Sequence, residues 1–150
     1  MTVTNLVGPP GSGKSTLARM LVERHPGLAH VAIDDFRRTY VKERVAWRKL
    51  ARQIRHSGRV IVESSGLSWR LKDVLPDRFK SVILDADRDE LLRRVRHREV
   101  VDIPFEHEVE MTEMIDNCIG NLRDMYAGAA IVDTGGSVEE AYRRLESVII

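Results

Sequence analysis

A single cysteine, Cys118, stands among the 150 residues, so no disulfide can form within the chain, and a lone thiol fits a reducing compartment. No apolar run approaches the roughly 20 residues that a bilayer-spanning helix needs. The opening MTVTNLVGPPGSGKS lacks the basic leader and long apolar segment of a secretory signal. The expectation is a cytoplasmic protein without a membrane partner. An excess of charge of one sign is also missing: 24 Lys and Arg against 23 Asp and Glu leave a formal +1, so no strong overall field points to one class of partner. His25, His30, His56, His97 and His107 show no metal-ligand spacing. Without repeats, low-complexity tracts or linker-like stretches, residues 1–150 read as one domain.

What is present is alternation. TVTNLV (2–7), LAHVAI (28–33), RVIVES (59–64), KSVILDA (80–86) and AAIVDT (129–134) read as short buried strands. Between them lie helical patterns over 14–25, 35–57, about 87–98, 106–127 and 137–149. The last opens with the Ser-x-x-Glu pattern of a capping box at Ser137 and Glu140. Met111, Met114, Ile115 and Cys118 recur at helical spacing, and they and Trp47 and Trp69 are expected to pack in the core. Strand-then-helix alternation predicts an α/β protein with three layers, α/β/α, around a five-stranded parallel sheet, with ligands bound beyond the carboxyl ends of the strands.

GPPGSGKST, between the first strand and the first helix, fits G-x-x-x-x-G-K-[ST] with Gly8, Gly13, Lys14 and Ser15 in the defining places. Gly11 and Gly13 let backbone N–H groups turn inward around Ser12, forming a concave anion site that the helix N-terminus completes. The pattern implies ATP or another nucleoside triphosphate with Mg²⁺. Lys14 would reach the β- and γ-phosphates, Ser15 the metal and Thr16 the α-phosphate. DTGGS (133–137) follows the last strand, where Gly135 and Gly136 serve either an ATP contact or a helix-entry turn.

The second strand runs into VAIDDFRRTY (31–40). Its carboxyl end belongs on the face of the phosphate loop, where Asp34 can accept a proton from an acceptor alcohol and Arg37 can hold an anionic group on that acceptor. The alternatives are an N-cap at Asp34 or Asp35 and a solvated helix face for Arg37 and Arg38. At the end of the third strand, Glu63, Ser64 and Ser65, with Arg70 beyond, offer further acceptor contacts; a plain strand-to-helix turn is the other reading of the serines.

GPPGSGKSTLARMLVERHPGLAHVAIDDFRR resembles the N-terminal segment of the phage polynucleotide 5′-kinases, among the AAA-type small P-loop kinases. The resemblance is close over residues 3–40. It implies ATP- and Mg²⁺-dependent phosphoryl transfer to the 5′-hydroxyl of a nucleic acid, with Asp34 as general base and Arg37 on the neighbouring phosphate. A nucleoside, nucleotide or other small molecule, or a hydroxymethylated base within DNA, is the alternative acceptor, and a nucleotide switch without catalysis is a further reading. The family carries an aspartate at the end of the third strand; this chain has Ser64 there and Glu63 one place earlier. The resemblance also implies a short lid over about 98–106, in which Arg98 matches the arginine that contacts the phosphates during catalysis. Arg94, four residues earlier on the same helix face, is a second phosphate-binding candidate; a solvated basic helix end is the other reading of both arginines.

Overall fold

The structure, a computed structural model, describes residues 1–102 and 108–150, and side chains other than those of 98–109. Five strands, β1 (Thr2–Val7), β2 (Leu28–Ala32), β3 (Arg59–Ser64), β4 (Lys80–Asp85) and β5 (Ala130–Asp133), alternate with α1 (Lys14–Arg24), α2 (Ile33–Thr39), α3 (Glu43–Arg55), α4 (Leu71–Val74), α5 (Arg88–Asp102), α6 (Glu108–Met125) and α7 (Val138–Ile149). The strands form one sheet in the order β2-β3-β1-β4-β5, and each neighbouring pair is parallel. The expected three-layer α/β/α arrangement is therefore present.

Period-two alternation explains the layers. Val3, Val7, Val60 and Val62 pack on one face with Trp47 and Leu50 of α3 and Leu122 of α6. Leu6, Ile61, Val82 and Leu84 pack on the other with Leu17 and Leu21 of α1 and Tyr142 and Leu145 of α7. Leu91, Leu92 and Val95 of α5 meet Ile115 of α6 in a smaller cluster. Among the described residues, no helix is long and apolar enough to cross a membrane.

Several boundaries differ from the sequence expectation. The helical pattern over 35–57 is two helices, because Tyr40 and Lys42 adopt extended backbone between them. The turn lets Ile33 and Phe36 of α2 and Ala46, Trp47 and Leu50 of α3 reach one core. Neither Asp34 nor Asp35 caps α2: β2 runs into it without a loop, so the cap falls on Ala32 and lacks a side-chain hydrogen bond. Trp47, Ile115 and Cys118 are buried as expected, whereas Trp69 is 65% exposed and Met114 39%. The expected lid begins inside α5, whose helix continues to Asp102. The remainder of that lid, 103–106, and the side chain of Arg98 lie outside the described residues.

Candidate active site

The carboxyl ends of β1, β2 and β3 open onto a cavity of about 780 Å³ lined by Gly13, Lys14 and Ser15 of the phosphate loop, Asp34 and Arg37 of α2, and Glu63 of β3, among others. Residues far apart in sequence thus share one enclosure.

The phosphate loop is shaped for an anion. Gly13 is the N-cap of α1 with φ +90° and no side-chain cap, and no acidic residue stands in the helix's first turn. The backbone N–H groups of that turn therefore receive no side-chain cap from Gly13 and carry the positive end of the helix dipole. Gly11 has φ +82°, and a Cβ there would stand 2.8 Å from the carbonyl oxygen of Leu91. Only glycine allows both the left-handed backbone and this close approach of α5. A Cβ on Gly8 would lie 2.8 Å from the Leu84 carbonyl oxygen and from Ser12 Oγ. Ser12 is fully buried, and its Oγ has no hydrogen-bond partner among the described residues. An uncapped helix start, two left-handed glycines and an orphaned hydroxyl fit a phosphate chain. Lys14 Nζ donates to the carbonyl oxygens of Gly8 at 2.7 Å and Pro9 at 3.0 Å, which holds its charge at this loop. Thr16 lines the same cavity.

Glu63 and Ser64 point to opposite faces of the sheet, as strand neighbours must. Glu63 faces α1 and accepts from Ser15 Oγ at Oε1 over 2.5 Å, while its Oε2 lies 3.1 Å from His30 Nε2. Glu63 is 5% exposed. Burial is the strongest influence on its carboxyl and raises the pKa. The bonds from His30 and Ser15 and the charges of His30 and Lys14 together outweigh burial, so the carboxyl falls below the usual range. An ionised carboxylate beside the loop serine is a suitable donor pair for Mg²⁺. Ser64 Oγ instead accepts from the backbone N–H of Gly66 at 3.1 Å.

On α2, Arg37 Nη1 donates to Asp34 at 3.0 Å, and its Nε and Nη2 make a side-on fork to Glu43. Trp47 Nε1 braces Glu43 at 2.9 Å. The bond to Glu43, opposed by desolvation and helped by the bond to Asp34, raises the pKa of Arg37. One further N–H on each terminal nitrogen remains for an anion. Asp35 pairs with Arg38 at the surface instead. Arg70 is not among the lining residues; its guanidinium lies 4.7 Å above the Trp69 ring.

Arg94 lines the cavity, but four of its five N–H donors go to the protein. Nη1 donates to the Gly11 carbonyl at 3.1 Å and to Thr134 Oγ1 at 3.3 Å, Nη2 to the Thr134 carbonyl at 2.7 Å, and Nε to Glu90 at 3.0 Å. It joins α5, the phosphate loop and the end of β5. Gly136, φ +84°, lines the cavity next to Thr134, and Ser137 caps α7 by accepting from Glu140 N–H at 3.2 Å.

Sequence reasoning missed His30, Glu43, Glu90 and Thr134. Glu90 carried a local signal in its four-residue spacing from Arg94, as did Glu43 in its spacing from Trp47.

A family model described as an AAA domain matches residues 5–116. No curated protein matches the chain by sequence. Among solved structures, the chain is similar to shikimate kinase from Bacteroides thetaiotaomicron, at 16% identity over 98% of this chain and 97% of that one, with a TM-score of 0.71. It is similar to a gluconokinase from Sinorhizobium meliloti 1021 at 19% identity over 99% and 93%, TM-score 0.62. The Pnkp1/Rnl/Hen1 RNA repair complex contains a chain similar at 20% identity over 82% of this chain and 45% of that one, TM-score 0.64. At these identities the likeness establishes the P-loop kinase fold.

Proposed function

The chain belongs to the AAA domain family, and on that premise we propose that it is an ATP-dependent kinase acting on a hydroxyl that neighbours an anionic group, with the 5′-hydroxyl of a polynucleotide as the acceptor. One observation carries this reading: the phosphate loop and the Asp34–Arg37 pair line a single cavity. When bound, ATP with Mg²⁺ supplies the phosphoryl group and the cation that neutralises it. Gly11, Ser12, Gly13, Lys14 and Thr16 would hold the phosphates, and Ser15 with Glu63 the cation. Asp34 takes the proton of the acceptor hydroxyl. Arg37, fixed by Glu43, offers its remaining N–H groups to the phosphate beside that hydroxyl, and Ser64 lines the approach. Arg98, through the resemblance alone, is assigned to the transferring phosphoryl group.

A second reading has its own support. Two carboxylates surround the Arg37 guanidinium, and such an acid-rich rim suits a small polyol as well. The test is transfer from ATP labelled on the γ-phosphate to 5′-hydroxyl DNA and RNA oligonucleotides, nucleosides, shikimate, gluconate and DNA containing hydroxymethyluracil. Label on oligonucleotide 5′ ends, reduced roughly 10²–10⁴-fold in kcat by Asp34→Asn, supports the polynucleotide reading. Label only on a small acceptor selects the second, and no transfer to any acceptor counts against both.

A further inference from the structure

β2 and β3 lie in parallel register with His30 opposite Ile61 and Ala32 opposite Glu63. Side chains alternate along each strand, so His30 and Ala32 share a face with Ile61 and Glu63, the face covered by α1 and α7. Ala32 presents only a methyl group directly across from Glu63, which leaves room for the His30 ring to reach diagonally along the sheet. Nε2 of His30 then lies 3.1 Å from Oε2 of Glu63, while Oε1 receives the Ser15 hydroxyl at 2.5 Å. Both side chains are enclosed, at 15% and 6% exposure. Among the described residues His30 is not one of those lining the cavity, and it touches the site through Glu63.

We propose that His30 is a positioning residue whose Nε2–H holds Oε2 of Glu63 and so keeps Oε1 turned toward Ser15, setting the carboxylate for the nucleotide's cation. This rests on the reading that Ser15 and Glu63 serve Mg²⁺. The terminal torsion of a glutamate is broad, and one partner at Oε1 leaves the carboxylate plane free to rotate. A second partner at Oε2, from a different element, removes that freedom. Carboxylate ligands are commonly held in this way by groups that do not touch the metal. The role requires a proton on Nε2, the nitrogen that faces Glu63.

Two measurements test it. In nucleotide-free protein labelled with ¹⁵N-histidine, His30 should show a protonated Nε2, with the signal identified by its loss in His30→Gln. A bare Nε2 overturns the proposal, and this arm decides the matter even should another variant fail to fold. The second measurement is the Kd of a fluorescent ATP analogue with Mg²⁺ and with EDTA. His30→Leu, verified as folded by circular dichroism, should lose about 10- to 100-fold of the enhancement by Mg²⁺. Binding in EDTA should stay near the wild-type value, and His30→Gln, which keeps a donor, should recover most of the loss. Full enhancement in folded His30→Leu overturns the role. A wild type that gains nothing from Mg²⁺ overturns the reading of Ser15 and Glu63 and this role with it; that failure shows in the unsubstituted protein and is distinct from failure of His30 alone.

Discussion

Arg94→Ala separates two roles that one arginine beside a phosphate loop can have. If Arg94 is mainly a phosphate ligand, its loss weakens nucleotide binding and leaves the nucleotide-free fold intact. The structure instead makes it a clamp between α5, Gly11 and Thr134. Removing it deprives two carbonyl groups of a charged donor, and each buried group left unsatisfied costs about 1–3 kcal/mol. Thr134 is 3% exposed, but the Arg94 side chain is 21% exposed, so water can replace part of what is lost. The low end of the range applies, about 2–3 kcal/mol in total. For a chain of this size that corresponds to a Tm lower by about 4–12 °C. The assay is thermal unfolding of nucleotide-free wild type, Arg94→Ala and Arg94→Lys by circular dichroism, with nucleotide affinity measured in parallel. Lysine keeps the charge but lacks the planar fork, so it should fall between the other two. A nucleotide-free Tm within about 1 °C of wild type in Arg94→Ala, together with a large loss of ATP affinity, would refute the clamp and restore Arg94 to the phosphates.

Two stability and reactivity predictions accompany it. Gly66 has φ +88°, and a Cβ there would stand 2.8 Å from Val7 Cβ and 2.9 Å from Leu122 Cδ2. Left-handed strain of about 1–2 kcal/mol and overpacking of about 1–3 kcal/mol should lower the stability of Gly66→Ala by about 2–5 kcal/mol, read from urea unfolding; a midpoint equal to wild type would exclude this packing. Burial, opposed by the charge of Lys14, pushes the Cys118 thiol from its usual 9.0 up to about 11. At pH 8 the native protein should therefore react with a thiol-specific disulfide reagent far more slowly than the urea-unfolded chain, and equal rates would contradict the burial. The sign of the linked stability follows: the contribution of the neutral thiol is whole below pH 9 and declines as pH rises toward 11.

Legibility from sequence tracked how local each feature is. The phosphate loop occupies contiguous residues, and its geometry follows from glycines at positions of positive φ and a helix that begins at Lys14; a reader of the sequence alone can place it. The strands were legible because buried parallel strands read as short apolar runs, and β1 and β3 have the expected limits. The helix break at residues 40–42 was not legible, since the apolar spacing continues across it while the backbone extends.

By itself, then, the sequence determined the α/β alternation, the anion-binding loop and the candidacy of Asp34 and Arg37, because each depends on backbone preferences and spacings within a few residues. Tertiary structure alone decided the partners. The strand order β2-β3-β1-β4-β5 brings β2 beside β3, so that His30 meets Glu63, and places β3 where Glu63 meets Ser15, 48 residues away. Packing of α5 over the loop turned Arg94 toward Gly11 and Thr134. The physical reason is common to all three. A side chain's partner is whatever the sheet order and helix packing bring within about 3 Å, and no pattern within a few residues of the chain encodes that order.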